Sequence, residues 1–212
     1  MGFLLSGFTV SHNVKVQNAI TLAGKATAVA YTRMSAIRST RTPTKAYTAF
    51  FGAMDATRLD QAWKVLNMIH YAMGTSFIRY NRSVGRPGTY AAAQRPASGW
   101  SEKNVKQMLD SGEFTMKIDD AFYKSGTDAR TAALTIVHEI SHLVGNTDDV
   151  DCPWDSKECY EYDRCRRLAE QYPNLTIKNA DSYGYYVMAE YDEVLPKQAE
   201  AEADLNMDLL FA

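Results

Sequence analysis

Two histidines four residues apart, with a glutamate beside the first, are the strongest chemical signal in the sequence. His138, Glu139 and His142 form the pattern H-E-x-x-H inside an apolar stretch. On a helix, residues four apart share one face and lie about one turn, ~6 Å, apart along the axis. Two imidazoles at that spacing can bind one Zn²⁺, and the glutamate can move a proton from a water on the metal. The pattern therefore predicts a metal-dependent peptidase.

The same stretch also has an interpretation without chemistry, as a buried core helix with two incidental histidines. Apolar residues wrap much of this helix: Leu134, Ile136, Val137, Ile140, Leu143 and Val144. However, a stripe of His, Glu, Ser and His is costly to bury unless its polar groups are paired. We therefore favour the metal site over the core helix.

A catalytic zinc site usually has three protein ligands and one open position, so a third ligand is required. The sequence has only four histidines, and the other two, His12 and His70, lie far away without a supporting motif. We interpret His70 as a packed or partly exposed residue of a helix. The acids that follow the H-E-x-x-H helix are better candidates: Asp148, Asp149 and Asp151.

The segment from His138 to Asp149 resembles the aspzincin family, the group of deuterolysin and peptidyl-Lys metalloendopeptidase. The pattern of that family is H-E-x-x-H followed shortly by G-T-x-D, with a tyrosine and a glycine a few residues on. Three other segments are similar to the family in the same order: residues 46–55 (AYTAFFGAMD), 118–127 (IDDAFYKSGT) and 179–185 (NADSYGY). The resemblance extends from about residue 45 to about residue 190.

This resemblance implies a role for each matched residue. The zinc ligands of the family are matched by His138, His142 and Asp149. Glu139 matches the catalytic acid and base, and Tyr160 matches the tyrosine that stabilises the developing oxyanion. Without the resemblance, Tyr160 would be interpreted as an ordinary half-buried tyrosine.

Asp181 matches an acid that lines the pocket for the substrate side chain after the scissile bond, although it could equally be a helix N-cap.

The chain departs from the family pattern at several positions. Asn146 interrupts G-T, residues 150–158 form an apparent insertion, and Glu161 stands where glycine is expected. Lysine-specific members carry a second acid where this chain has Gly184, so the sequence does not predict a strict preference for lysine.

A metzincin-like spacing is a second interpretation of the metal site. The residues from His138 to Asp148 also fit H-E-x-x-H-x-x-G-x-x-D, with Asp148 as the last ligand. Gly145 would allow the sharp turn, and Met188 would be the candidate for a Met-turn. The flanking segments do not otherwise suggest a metzincin, so we favour Asp149.

Composition and charge limit the classes of partner. The chain has 212 residues and a net charge of −2, which gives no electrostatic basis for binding nucleic acid or an anionic membrane. No apolar run approaches the ~20 residues needed to cross a bilayer.

The expected partner is a protein or peptide substrate. The first residues make a poor signal peptide. We nevertheless favour secretion, or delivery by a specialised secretion system, as the location of the protein.

Three cysteines lie within one short stretch, at Cys152, Cys159 and Cys165. An odd number cannot pair fully within the chain, so the sequence predicts one disulfide and one leftover thiol, without deciding the pairing. A cysteine metal site is the weaker alternative because no C-x-x-C pair is present.

The elements that must position these residues follow from periodicity and caps. Predicted helices cover residues 11–40, 56–73 with Asp55 as N-cap, 102–110, the H-E-x-x-H segment with Asp128 as N-cap, 163–171 and an acidic tail at 197–211. Residues 179–190 begin as a capped turn and continue as an aromatic-rich helix or turn. Predicted strands cover residues 76–80, 89–92 and 114–118.

These elements predict an α+β fold of the zincin-like metalloprotease type, with a helical N-terminal half and a small sheet against the H-E-x-x-H helix. Residues 1–44 would be a helical extension and residues 45–212 the peptidase domain, unless the two form one domain. The predicted activity is that of a zinc-dependent metalloendopeptidase with Glu139 as general base. The alternatives are a non-catalytic binding module with the same fold, which the intact Glu139 argues against, and an effector or toxin domain with one protein target.

Overall fold

The computed structural model describes residues 4–75, 78–83, 90–93, 100–112, 114–123 and 127–210, with side chains undescribed at 75 and 196–210. Its helices are α1 (Val10–Thr40), α2 (Lys45–Phe51), α3 (Ala56–Thr75), α4 (Glu102–Ser111), α5 (Ala129–Gly145), α6 (Tyr162–Gln171), α7 (Pro173–Thr176) and α8 (Ala180–Leu210). Its strands are β1 (Leu4–Ser6), β2 (Arg79–Arg82), β3 (Ala91–Ala93) and β4 (Thr115–Ile118). The α+β class is confirmed.

The four strands form one mixed sheet in the order β1-β2-β4-β3. Strands β1, β2 and β4 are parallel, and β3 pairs with β4 in the antiparallel direction, with Ala92 opposite Lys117. Strand β3 is therefore an edge of the sheet, and it packs against helix α5. This contact brings an edge strand to the helix that carries the H-E-x-x-H pattern.

Helix α5 is the centre of the helical layer, in contact with α1, α3 and α8. Every residue from Ala132 to Val144 is buried except Thr135, which is half-buried. The helix begins where the Asp128 carboxylate accepts a hydrogen bond from the Thr131 N–H at 2.7 Å. This bond holds the pKa of Asp128 below its ordinary value. The predicted N-cap at Asp128 is confirmed, as is the one at Asp55, whose carboxylate accepts from the Arg58 N–H.

Helix α1 shares one hydrophobic cluster with α3, α5, α8 and the sheet. Its buried residues recur at three- and four-residue steps and many are alanines, which lets neighbouring helices approach closely: Val16, Ala19, Ile20, Ala23, Ala26, Thr27, Ala30, Met34 and Ile37. This packing favours the interpretation in which residues 1–44 and the remainder form one domain.

The structure differs from the sequence expectations at several elements. The first residues form strand β1, and helices α2 and α7 were not predicted. The predicted strand at 76–80 begins instead at Arg79 and continues to Arg82, while residues 76–77 and 89 lie outside the described part of the chain. The tail predicted as a separate helix is part of α8, which is continuous from Ala180 to Leu210. Residues 120–123 form a 3₁₀ helix.

The cysteine expectation is confirmed in its general form. Cys152 and Cys159 form a disulfide, and Cys165 is a buried free thiol. The alternative of a cysteine metal site is wrong because two of the three sulfurs are bonded to each other. The disulfide closes the inserted loop, and both of its cysteines pack against Leu168 of α6.

A buried ion pair joins α1 to α8. Glu190 is fully buried, accepts from the Arg33 guanidinium at 2.9 Å and also from the Thr44 hydroxyl. The same arginine binds Glu193 at 2.8 Å, but that carboxylate is 36% exposed. Arg33 thus binds one buried glutamate, Glu190, and one partly exposed glutamate, Glu193, so the two contacts can be compared.

We expect Glu190→Ala to lower the free energy of unfolding by about 2 kcal/mol, because it removes the buried acceptor of the Thr44 hydroxyl and one of the two carboxylates that the partly exposed Arg33 binds. Glu193→Ala should cost less than about 1 kcal/mol, because an exposed pair contributes little. Urea unfolding of both variants measures the difference. Equal losses would show that burial of Glu190 does not stabilise the packing of α1 on α8.

Candidate active site

His138 and Glu139 of the H-E-x-x-H pattern line a cleft of about 540 Å³ between α5, α8 and strand β3. His138, Glu139 and His142 are each less than 10% exposed. Three buried ionisable groups on one helix face need partners, because uncompensated burial of polar groups is costly. The hydrogen bonds around them show where those partners lie.

Each histidine ring is oriented by a hydrogen bond at Nδ1. His138 Nδ1 lies 2.6 Å from a carboxylate oxygen of Asp181, and His142 Nδ1 lies 2.9 Å from the carbonyl oxygen of Thr147. A carbonyl or carboxylate oxygen can only accept, so both Nδ1 atoms carry the proton. A neutral imidazole with its proton on Nδ1 has its lone pair on Nε2, which is the tautomer that metal-binding histidines use.

The two Nε2 atoms converge with one carboxylate oxygen. They are 3.0 Å apart, and Asp149 Oδ1 lies 3.3 Å from each. A tetrahedral zinc with bonds of about 2.0–2.1 Å has neighbouring ligand atoms separated by about 3.3 Å. The donor set of two imidazoles and a carboxylate and its spacing therefore fit Zn²⁺.

The electrostatics of this triangle also favour a cation. Burial opposes charge on His138, but its bonds with Asp149 and Asp181 outweigh burial and raise its pKa to about 10. Burial also opposes ionisation of Asp149, yet the two histidines hold its pKa well below the ordinary value. The same surroundings that favour a proton on His138 would favour a metal cation in its place. Within the described residues, His138, His142 and Asp149 are the group suited to hold a metal ion.

The turn after α5 explains how Asp149 reaches this position. Asn146, which interrupts the family pattern, ends the helix in the left-handed conformation with φ of 53°, which asparagine tolerates better than most residues. Thr147 is buried, and its hydroxyl forms a hydrogen bond with Ser141 at 2.7 Å. The backbone of Asp148 pairs with Lys178 and Ala180 at the start of α8. The carboxylate that meets the histidines is that of Asp149, and not that of Asp148.

Glu139 lies beside the three ligand atoms, with its carboxylate 3.9 Å from His138 Nε2. Burial raises its pKa, an effect that the two histidines and the backbone amide of Ala93 on β3 oppose. A carboxylate with a raised pKa is a stronger base, which suits a group that must accept a proton and then release it.

Tyr160 follows the disulfide loop, and its ring centroid lies 6.1 Å from that of His138. Its side chain is partly exposed to the cleft. Burial and the nearby Asp149 carboxylate raise its pKa, so the hydroxyl stays protonated and can donate a hydrogen bond. The adjoining Glu161 N–H donates to Asp181 at 3.0 Å, which ties this loop to α8.

Asp181 makes contacts that the sequence did not predict. One oxygen binds His138 Nδ1 and the other accepts from the Glu161 N–H, so it orients a candidate ligand and does not cap α8. It also lines the cleft, as the resemblance implied. The sequence analysis also did not identify Ser141 or the Thr147 carbonyl as parts of the site. The threonine of the family's T-x-D pattern was the signal that could have indicated Thr147.

The remaining candidates lie elsewhere in the fold. The His70 ring stacks on Tyr31, and burial lowers its pKa, which confirms a packed histidine. The His12 ring stacks on Tyr123. Met188 is buried within helix α8 and not in a turn, so the metzincin-like interpretation has no support at that position.

Comparisons with known proteins agree with this geometry. Residues 36–188 match the aspzincin family model, described as lysine-specific metallo-endopeptidase. An extracellular protease of Aeromonas hydrophila is 30% identical over 142 residues, which cover 66% of this chain and 34% of that protein. The chain thus spans about a third of the length of that relative. A zinc peptidase from Grifola frondosa has a similar fold, with a TM-score of 0.65, 21% identity and coverage of 85% of this chain and 96% of the other.

We expect Asp149→Asn to weaken zinc binding by more than about a hundredfold, because it removes the anionic ligand without changing its size. Asp148→Asn is the matched control and should change the affinity by less than about twofold. Competition with a chromophoric chelator measures both dissociation constants. The reverse ranking would assign the third ligand to Asp148.

Asp181→Asn should weaken zinc binding by about tenfold, because the partner of His138 loses its charge while its shape is kept. The exposed Asp163→Asn on α6 is the control and should bind zinc as the unaltered protein does. Chelator competition gives the affinity, and circular dichroism checks folding. An unchanged affinity in folded Asp181→Asn would exclude a positioning role for this carboxylate.

Proposed function

The chain belongs to the aspzincin family of metallo-endopeptidases, and from this premise we propose that it is a zinc-dependent endopeptidase. The observation that carries the proposal is the convergence of His138 Nε2, His142 Nε2 and Asp149 Oδ1 at 3.0–3.3 Å. These three residues would hold the ion. Bound Zn²⁺ supplies Lewis acidity, which polarises a carbonyl and makes water a nucleophile near neutral pH.

Glu139 is the proposed general base and acid. Its carboxylate lies 3.9 Å from His138 Nε2, and there it would take a proton from the attacking water and deliver it to the leaving amine. The backbone amide of Ala93 on β3 donates a hydrogen bond to this carboxylate. This hydrogen bond fixes the position of the proposed catalytic carboxylate relative to the edge strand β3.

Tyr160 is the proposed donor to the oxyanion. Its hydroxyl is protonated at neutral pH, as in any tyrosine of ordinary pKa, and burial and the Asp149 carboxylate raise that pKa further. A hydrogen bond that strengthens as negative charge develops on the carbonyl oxygen stabilises the transition state more than the substrate. The disulfide loop and the Glu161–Asp181 bond hold this tyrosine near the ligands.

Strand β3 is the proposed platform for the substrate backbone. It is an edge of the sheet, so its outer hydrogen-bonding groups can pair with an extended peptide. The peptide would then cross the cleft above Glu139, with a side chain directed into the space between α5 and α8. Asp181 lies in that space, which supports its implied place beside the substrate side chain as well as beside His138.

We also propose that this peptidase acts outside the cytoplasm of the cell that makes it. The Cys152–Cys159 disulfide supports an oxidising environment, and the Aeromonas relative is named as extracellular. Within the described part of the chain, no helix combines the length and apolar character needed to cross a membrane.

The decisive test compares the unaltered protein with Glu139→Gln. Cleavage of a mixed protein digest, followed by mass spectrometry with and without chelator, should show metal-dependent endopeptidase activity. The variant should lose about 10²–10⁴-fold in kcat/KM while its zinc content stays the same, because only the proton-transfer group is removed. Zinc binding without cleavage by the unaltered protein would favour a non-catalytic binding module.

A further inference from the structure

We propose that Asn179 is a positioning residue for the reaction, whose side-chain carboxamide sets the separation between the candidate ligand Asp149 and the oxyanion donor Tyr160. This inference rests on the proposed peptidase function. Asn179 is the residue before helix α8, and it is buried. Its carboxamide would act through the two ends of the disulfide loop, which lies between Asp149 and Tyr160 in the chain.

The disulfide loop closes on itself as a short antiparallel pair. Asp151 lies opposite Glu158 in the antiparallel direction. One residue further out, the Cys159 N–H donates to the Val150 carbonyl at 2.7 Å. We call this Val150–Cys159 pair the neck of the loop, because the two chain segments separate beyond it.

The register of the loop places Asp149 opposite Tyr160, one residue outward from the neck. Opposite residues of an antiparallel pair direct their side chains to the same face, with Cβ atoms about 4.5–5.5 Å apart. Burial and the charge and hydrogen bond of the Asp149 carboxylate raise the pKa of Tyr160, which shows that the two side chains meet. The width of the neck therefore determines how the oxyanion donor lies relative to the third candidate ligand.

The carboxamide of Asn179 is inserted into this neck. A hydrogen-bonded pair of an antiparallel ladder exchanges two bonds, and the neck makes the first of these directly. In place of the second, the Val150 N–H donates to Asn179 Oδ1 at 3.4 Å, and Asn179 Nδ2 donates to the Cys159 carbonyl at 3.3 Å. The side chain is thus a spacer between two backbone groups that would otherwise bind each other.

The chemistry of the two backbone groups fixes the orientation of the spacer. A backbone N–H can only donate and a carbonyl can only accept, so a single orientation of the carboxamide satisfies both. Nδ2 also donates to Ser182 Oγ at 3.1 Å, and the Cys165 thiol donates to the same Cys159 carbonyl at 3.2 Å. Asn179 is 1% exposed, so water cannot replace these bonds if the carboxamide is removed.

The backbone around Asn179 is fixed independently of its side chain. The Asp148 N–H donates to the Lys178 carbonyl at 2.6 Å, and the Ala180 N–H donates to the Asp148 carbonyl at 3.0 Å. These bonds remain when the side chain of Asn179 is shortened, so Asp149 stays beside the histidines. The neck, in contrast, loses its spacer and can close. We therefore expect loss of the carboxamide to displace the oxyanion donor more than the metal ligands.

The test compares the zinc-loaded protein with Asn179→Ala and Asn179→Asp, each alone and combined with Tyr160→Phe. Asn179→Asp keeps the size of the side chain and the acceptor for Val150, but its carboxylate cannot donate to the Cys159 carbonyl. Asn174→Ala is the matched control. It removes an acceptor of the buried Arg58 at 2.9 Å, and so lowers stability away from the cleft.

Kinetics use an internally quenched peptide chosen from the cleavage sites found in a mixed digest, at saturating zinc, with folding checked by circular dichroism. Both Asn179 variants should lose at least about tenfold in kcat, because a displacement of about 1 Å in a catalytic group is costly. Their KM and their affinity for zinc should change by less than about threefold. Asn174→Ala should unfold at a lower temperature and keep kcat within about twofold.

The double variants separate a positioning role from a general loss of structure. In the Tyr160→Phe background, Asn179→Ala should lower kcat by less than about twofold further, because a residue that acts through the Tyr160 hydroxyl has no effect once that hydroxyl is gone. Independent, multiplying losses would overturn the assignment, as would an unchanged kcat in Asn179→Ala or in Tyr160→Phe alone.

Failure of both Asn179 variants to fold with zinc bound would also overturn the assignment, since the side chain would then be required by the fold itself. Absence of cleavage of the mixed digest by the unaltered protein would instead reject the peptidase function.

Discussion

Convergence of two imidazole nitrogens and one carboxylate oxygen is the constraint on which the candidate site depends. Two imidazole nitrogens and a carboxylate oxygen lie 3.0–3.3 Å apart, and both imidazoles carry their protons on the far side. Such an arrangement needs a positive charge among these atoms, either a proton or a metal cation. The hydrogen bonds to Asp181 and Thr147 orient the two rings toward Asp149, as a bound cation would require.

The candidate site is assembled from the end of helix α5 and the beginning of helix α8. Helix α5 supplies the histidines, and the turn at Asn146 directs the chain back so that Thr147 and Asp149 face them. The backbone of Asp148 pairs with residues at the start of α8, and Asp181 in the first turn of α8 reaches His138. Packing of α8 on α1, through the buried Glu190, therefore supports the candidate metal ligands from a distance.

Asp181 links the candidate ligand His138 to the loop that carries Tyr160 and Glu161. The same carboxylate accepts from His138 and from the Glu161 N–H, so the loop that carries Tyr160 and Glu161 is fixed relative to the ligands. The disulfide between Cys152 and Cys159 closes the insertion that separates Asp149 from Tyr160. An inserted loop would otherwise add conformational freedom between two groups that must act together, and the cross-link limits that freedom.

The sequence alone determined the elements whose signals are local. The spacing of His138 and His142 on an apolar helix, the caps at Asp55 and Asp128, and the long helix α1 depend on neighbours within a few residues. Only the tertiary structure decided that Asp149 rather than Asp148 meets the histidines, that Leu4–Ser6 pairs with β2, and that Asp181 binds His138. Those facts join residues far apart in the chain, and a periodic pattern carries no information about which distant segments come into contact.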